Sequence, residues 1–290
     1  MHGPILSYHP GLAAGRNLLL TSRRPLDRRD YLAVAGAAAV LLPPVCRPDL
    51  FNLVAALGKP HFPRPAVHLA LDGKVGNHWL FTRLGLPQPR SLVFADIPAA
   101  AAAWRAGRVA AAGIRPPLVA KGAGGGQGQN VFLVKSPEEL EGLAGRLETR
   151  CFQGPDGLVL QERVQLPGRD ARVACVGEAV DAFWRLAPPG EEFFTSLSRG
   201  GRVDREGWPE QMARAVALAR RFMALAGIDV AGIDVLAPEE GEPLLLEVNF
   251  YFGPNAHGGS AGVRAMFLRA ARAWLARLGL DPAGVRPASD

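Results

Sequence analysis

The sequence predicts an α+β protein whose sheets are built from antiparallel hairpins and not from a doubly wound βα alternation. Three observations carry this. Residues 170–176 and 179–185 flank a two-residue turn, Gly177-Glu178. Val230–Leu236 and Leu244–Asn249 face each other across Glu240-Gly241. Strand 118–121 runs through a glycine loop, 122–130, into a second strand, 131–134, with no helix between.

Taken in order, residues 1–65 read as a small α/β segment and linker. Apolar stretches at 17–21 and 31–42 precede a proline-rich passage from Pro60 to Pro65. A helical pattern follows from Asp72 to Leu84, with Asp72 as N-cap and Gly85 as C-cap. Gly85-Leu86-Pro87-Gln88-Pro89 turns the chain into an extended segment at 91–94, and Ala-rich 98–112 reads as a surface helix. Pro116-Pro117 launches strand 118–121. Ser136-Pro137-Glu138-Glu139 is a capping box opening a helix to about Leu147. Strand 158–164 and the middle hairpin come next. Helix 209–226 has Pro209 in its first turn, places Met212, Val216, Ala219, Met223 and Ala226 on one face, and is capped by Gly227. The last hairpin leads into a C-terminal helix around 261–278, and no long repeat is visible.

Composition narrows the function classes. A chain of 290 residues with 48% hydrophobic and 21% charged residues can bury a sizeable core, which excludes wholesale disorder. The longest uncharged apolar run, 31–42, has 12 residues and stops at Pro43-Pro44, short of the roughly 20 that a membrane-spanning helix needs. The opening residues MHGPILSYHP lack a basic-then-apolar signal layout, so a cytoplasmic chain is expected. Cys46, Cys151 and Cys175 lie far apart with no CxxC pair, which argues against a disulfide framework or structural zinc. The net charge of +6 and pI near 9.7 invite a nucleic-acid reading. Residues 1–65, however, carry eight basic against three acidic side chains, and the remainder is almost balanced. Pairs such as Arg23-Arg24 and Arg28-Arg29 then suit a solvated face better than a phosphate tract. Arginine outnumbers lysine 29 to four, so Lys59, Lys74, Lys121 and Lys135 become candidates for tasks a compact monodentate cation does best.

Three clusters bear chemistry. Lys121-Gly-Ala-Gly-Gly-Gly-Gln-Gly128 fits neither the P-loop, where Lys follows the glycines and a helix comes next, nor the dinucleotide fingerprint. What remains is either a flap whose bare backbone closes over phosphates or a floppy hairpin tip. In the last hairpin, Glu247 and Asn249 point to one face, and symmetric pairing about Glu240-Gly241 sets Asp234 opposite Glu247. Three oxygen ligands then converge in a core hairpin, a hard-donor set suited to Mg²⁺. In the middle hairpin, Asp170, Arg172, Asp181 and Arg185 share the face opposite an apolar one, with Arg172 opposite Phe183; a salt-bridge ladder is the alternative to a binding role.

Together the clusters resemble a family. Residues from about 66 to 275 are similar to the ATP-grasp ligases, and most closely to the RimK-like branch that joins carboxylates to amines. The matches run in order: Asp72-Gly-Lys74 with Leu84-Gly-Leu-Pro-Gln-Pro89; Leu118-Val-Ala-Lys121 before the flap; Gln161-Glu-Arg-Val164; Gly168-Arg-Asp-Ala-Arg172; Arg199-Gly-Gly201; Ala231-Gly-Ile-Asp234; and Leu246-Glu-Val-Asn249. The resemblance implies an ATP-grasp fold, two α+β subdomains clasping ATP, over 66–290, with 66–164 as the lid and hinge side and 165–290 as the metal and catalytic side. By the same resemblance Lys74 and Lys121 contact phosphates under a flap containing Gly124, Gly125, Gly126 and Gly128. Glu162 and Arg163 hold adenine through their backbone, and Asp170 faces the ribose. Asp234, Glu247 and Asn249 bind Mg²⁺, or Mn²⁺ in its place. Arg172 and Arg199 neutralise charge on the transferring phosphoryl group and the acyl phosphate. The implied partners are small-molecule or peptide carboxylates and amines, not nucleic acid or membrane, and a homo-oligomer is compatible with the reading.

The sequence also departs from the family. Phe194-Thr195-Ser196 stands where Arg-Ser-Asn is common, removing a nucleotide-contacting Arg and an amide. Phe250-Tyr251-Phe252-Gly253 replaces small-x-Pro-Gly, Asn130 replaces a common Gly, and the region before residue 66 is short. These departures keep open a non-ligating ATP-binding protein, with a basic nucleic-acid binder as a third reading. His61, His68 and His78 lack ligand spacing and read as structural, whereas His257, just after the metal hairpin, is a candidate for the acceptor site. Cys175, Trp79 and Trp184 read as packing.

Overall fold

The computed structural model describes residues 3–20, 24–126, 128–191 and 193–288; Thr21, Arg23 and Gln127 of the predicted features lie outside them. Three main sheets organise the chain. The first is parallel, with Arg16–Asn17, Ile5–Ser7, Ala39–Leu41 and His61–Phe62 in that spatial order. The apolar run 31–42 divides into the end of helix Arg28–Gly36 and strand Ala39–Leu41. That helix opens with a capping box between Asp27 and Asp30. Strand Leu12–Ala13 pairs with Arg286–Pro287, and the bidentate Arg64–Asp229 contact adds a second tie between the N-terminal segment and the rest.

The second sheet is antiparallel, ordered Ser91–Phe94, Leu158–Glu162, Leu118–Gly122, Val131–Val134. Its apolar face packs on helices Ile97–Arg105, Arg108–Ala111 and Pro137–Glu141. Two expectations are corrected here. The Ala-rich stretch is two helices broken at left-handed Gly107, and Ala100, Ala101 and Ala103 are buried, so one side faces the core. The helix expected to reach Leu147 ends at Glu141, because Gly142 and left-handed Gly145 follow; Ser136 still caps it by accepting from the Glu139 N–H.

The third sheet is the middle and last hairpins joined, in the order Arg202–Asp204, Ala179–Leu186, Arg169–Val176, Val230–Leu236, Leu244–Asn249. One face, with Ala171, Val173, Trp184, Ile233 and Val235, packs on helix Pro209–Ala226. The helix buries Ala215, Leu218, Ala219, Phe222 and Met223, whereas Met212, Val216 and Ala226 of the predicted face are only partly buried. On the other face, helix Gly259–Arg277 covers only the end near Ala174, Val176 and Val230. The rest of that face stays open toward the second sheet. Helix Gly73–Arg83 is tied to the edge strand by the Asn77 Oδ1, which accepts from the Val248 N–H at 2.7 Å.

Candidate active site

Alternation along the strands places every second residue of the third sheet on its open face. One row across four strands is Phe183, Arg172, Asp234 and Glu247, each directly opposite the next. The neighbouring row is Asp181, Ala174, Gly232 and Asn249. Its small member Gly232 lets the Arg172 guanidinium and Phe252 lie close against the sheet: a Cβ there would be 3.0 Å from the guanidinium carbon and from the Phe252 Cβ. The predicted pairing of Asp234 with Glu247 is present, but a bulge beyond Asp234 shifts the register, so Val235 pairs with Leu245.

The charges on this face are only partly matched. Arg172 donates to Asp234, and Arg185 donates to Asp170 and, through Nη2, to Asp234 at 3.0 Å. Burial alone would raise the Asp234 pKa, but the two guanidinium groups hold it below the usual carboxylate range. The predicted ribose residue Asp170 is therefore ion-paired, and Arg185 links the two aspartates. By contrast, the Glu247 and Asn249 side chains make no hydrogen bond or ion pair with any described residue. Lys121 enters from the second sheet and is 7% exposed. Burial lowers its pKa to about 8, with Glu247 and Asp234 opposing and Lys74 reinforcing the shift.

Two cavities meet at Glu247 and Asn249. The larger, about 350 Å³, lies between the sheets and is lined by Lys121, Gln161, Glu162, Asp170, Arg172 and Asp234 among others, with Gly128, Phe194 and Thr195 at its rim. The smaller, about 320 Å³, holds Lys74 and Gly124, Gly125 and Gly126. The predicted ligands thus bring together two carboxylates and one amide. Among the described residues no three His, Cys, Asp or Glu side chains could hold a metal alone. Such a set fits Mg²⁺ only with phosphate oxygens and water completing the shell, which is how Mg²⁺ commonly binds beside phosphates.

The glycine loop is anchored at both ends. Gly73 is left-handed (φ 77°), and the Lys74 N–H donates to the Ala123 carbonyl at 3.0 Å. Lys74 Nζ donates to the carbonyls of Gly124 (3.1 Å) and Gly125 (2.7 Å). Asn130 Nδ2 donates to the carbonyls of Gly124 and Glu148, and its Oδ1 accepts from the Glu148 N–H. The residue that departs from the family pattern thus pins the base of the loop. At the far end Arg199 Nη2 donates to the Gly128 carbonyl at 3.2 Å, and the guanidinium lies 3.8 Å from the centroid of the Phe194 ring. Arg199 accordingly sits on the lip of the larger cavity and is not among the residues that line it.

On the predicted adenine side the expected strand 158–164 ends at Glu162. The Glu162 N–H donates to the Arg90 carbonyl at 2.9 Å, and its carboxylate accepts from the Arg90 N–H and Nε. Its backbone donor is thus engaged. Arg163 lies 6.0 Å from the Phe193 ring centroid, and the following Val164 lines the cavity. Asn77 and Phe194 complete the positioning contacts; neither carries a sequence signal apart from the atypical Phe194-Thr195-Ser196 segment.

A family model for the RimK-like ATP-grasp domain matches residues 74–263. Over 136 residues, 46% of this chain, the sequence is 37% identical to a probable alpha-L-glutamate ligase of Aeromonas salmonicida and 38% identical to the ribosomal protein bS6–L-glutamate ligase of Escherichia fergusonii. In both cases the match spans 42% of the relative's length. A solved RimK domain ATP-grasp protein from Sphaerobacter thermophilus superposes with a TM-score of 0.53 over 92% of this chain and 98% of that one, at 17% identity, which shows a shared fold.

Proposed function

The chain belongs to the RimK-like ATP-grasp family, and from that premise we propose that it is an ATP- and Mg²⁺-dependent ligase joining a carboxylate to an amine through an acyl phosphate. One observation carries the reading. A buried lysine and two oxygen donors without partners among the described residues, Lys121, Glu247 and Asn249, face a single cavity beneath an anchored glycine loop. A cation and uncommitted oxygens placed together suit a polyphosphate with its divalent ion.

In this reading Lys121 and Lys74 meet the phosphates, and Glu162 and Arg163 flank the adenine. Glu247 and Asn249, with Asp234, would hold Mg²⁺ or Mn²⁺, which supplies charge neutralisation of the phosphates. Arg172, on the cavity floor beside Asp234, stabilises charge developing on the transferring group. The loop excludes water from an acyl phosphate that hydrolyses readily. Relatives named as L-glutamate ligases make glutamate and glutamyl peptides the first substrates to try.

The experiment is an ATP-dependent phosphate-release screen over amino acids and short peptides, with hydroxylamine added to trap acyl phosphate as hydroxamate. Tight ATP binding without ADP or hydroxamate for any acid would instead support the non-ligating ATP-binding reading, which the atypical Phe194-Thr195-Ser196 and Phe250-Tyr251-Phe252 segments favour. The nucleic-acid reading has less support. Arg24, Arg47 and Arg64 of the basic N-terminal segment are ion-paired with Asp30, Asp49 and Asp229. Among the described residues no helix is long and apolar enough to cross a membrane.

A further inference from the structure

The wall of the larger cavity beside Phe183 is formed by His257. Its imidazole lies between the rings of Phe183 and Phe252, at centroid distances of 5.2 and 5.1 Å, and its side chain is 3% exposed. Nδ1 lies 2.6 Å from Asp181 Oδ2. A carboxylate only accepts, so Nδ1 carries the proton and Nε2 presents a lone pair. Arg205 fixes this carboxylate through Nη1 at 2.7 Å and also donates to the carbonyl of Ala256, so partner and adjacent backbone are both held.

Among the described residues three buried side-chain polar atoms are sealed without a partner: His9 Nε2, Asn77 Nδ2 and Arg169 Nε. His257 Nε2 is not one of them and is bonded to no described residue, and His257 itself lines the larger cavity. Burial lowers the His257 pKa; Asp181 opposes this, while Arg172 and Arg205 reinforce it. The neutral ring therefore persists at neutral pH. Its place relative to the other groups follows from the sheet. Phe183 is directly opposite Arg172, and beyond Arg172 come Asp234 and Glu247. An acyl group held over Arg172 would have the phosphate on one side and His257 on the other.

We propose that His257, oriented by Asp181, is the general base for the amine that attacks the acyl phosphate. The assignment rests on the ligase reading. The amine is one that arrives largely protonated, such as the terminal α-amino group of a peptide, whose ordinary pKa is about 7.7–8.0. The ammonium first gives one proton to solvent; in the step, the lone pair of the free amine forms the C–N bond and the surplus nitrogen proton passes to Nε2. The acyl C–O bond breaks with its electron pair leaving on phosphate. The imidazolium, balanced by the Asp181 carboxylate, then gives its proton to the released phosphate. The bland alternative is that His257, Asp181 and Arg205 only tie the 253–258 loop to the sheet.

The test compares wild type, His257→Gln and Asp181→Asn with ATP and Mg²⁺. The acids and amines are the proteinogenic amino acids and L-glutamyl-L-glutamate, and in parallel hydroxylamine replaces the amine. Hydroxylamine is uncharged at neutral pH and a strong nucleophile, so hydroxamate reports acyl phosphate without needing the base. His257→Gln should lower the amide-to-hydroxamate ratio by about 10²-fold or more, the usual scale of general-base catalysis. Asp181→Asn, which preserves shape, should lower the same ratio by a smaller factor and decides the matter should His257→Gln not fold. An unchanged ratio, or equal loss of both products, overturns the assignment while leaving the ligase reading intact. If wild type yields no hydroxamate with any acid, the ligase reading itself fails and takes the base with it.

Discussion

Arg172 donates to Asp234 from the directly opposed position on the neighbouring strand. This pairing separates the predicted metal ligands into two kinds. Asp234 is also bound by Arg185 and is 6% exposed, whereas Glu247, its neighbour on the other side, has no side-chain partner among the described residues.

The first prediction follows from that difference. Removing one member of a buried ion pair typically costs about 3–5 kcal/mol, because the remaining charge is left uncompensated. Asp234→Ala should therefore lower both turnover and the unfolding midpoint in denaturant. Glu247→Gln should abolish turnover with the midpoint nearly unchanged. Urea titrations beside phosphate-release assays check both; wild-type turnover in Glu247→Gln at ordinary Mg²⁺ would remove Glu247 from the metal set.

The second concerns pH. Burial depresses the Lys121 pKa from its ordinary 10.5 to about 8, so between these values the unfolded chain binds more protons than the folded one. Lys121 thus makes stability rise with pH across that window, and its burial penalty is fully present below pH 8. Bound phosphates would favour the ammonium form, so ATP binding above pH 8 should take up a proton. Calorimetry in two buffers of different ionisation enthalpy reads this uptake directly, and Lys121→Met should abolish it.

Much of this site was legible because it depends on strand alternation and short turns. The two-residue turn at Gly177-Glu178 leaves one register, and with it Arg172 opposite Phe183 and Asp170 beside Arg185. The Asp234–Glu247 pairing was legible too, although the bulge between Asp234 and Val235 has no local sequence mark. Contacts between distant segments were not legible. The Arg199–Gly128 and Lys74–Gly125 bonds join side chains to carbonyls 71 and 51 residues away, and nothing in local pattern records them. The helix expected to reach Leu147 fails for a different reason: Leu143 and Leu147 are buried as a helix would bury them, but Gly142 and Gly145 end the helical backbone first.

The third prediction separates the lysines. Lys74 and Lys121 line the two cavities, whereas Lys59 and Lys135 line neither. Charge-assisted hydrogen bonds contribute about 1.5–3 kcal/mol each, so Lys74→Ala and Lys121→Ala should each weaken ATP binding tenfold or more. Lys59→Ala and Lys135→Ala should change it little. Lys74→Ala should in addition release the glycine loop, because it removes both bonds to Gly124 and Gly125. Limited proteolysis would show faster cleavage within 122–130 for Lys74→Ala alone; equal binding losses for all four variants would contradict the assignment.

The fourth concerns the lip of the cavity. Arg199 bonds the Gly128 carbonyl and stacks on Phe194, and a Cβ on Gly128 would itself meet the Phe194 ring at 3.3 Å. Arg199, Phe194 and the end of the glycine loop therefore form one contact, with the cation–π stack holding the guanidinium where it can reach the loop. In the proposed ligation, a loop held this way would shield the acyl phosphate from water, and a loosened loop would admit water that competes with the amine. Arg199→Ala should lower kcat for amide formation far more than it raises the KM for ATP, since closure matters most after the nucleotide is bound. Phe194→Ala should have the same signature, with more ADP released per amide formed. Because both side chains act through one contact, the double variant should resemble the worse single variant and fall well short of the product of the two effects. Coupled assays measuring ADP and amide together decide this. Independent, multiplicative losses would mean that Arg199 acts on the reacting groups directly, as its counterpart in the resemblance implies, and that Phe194 merely packs beside it.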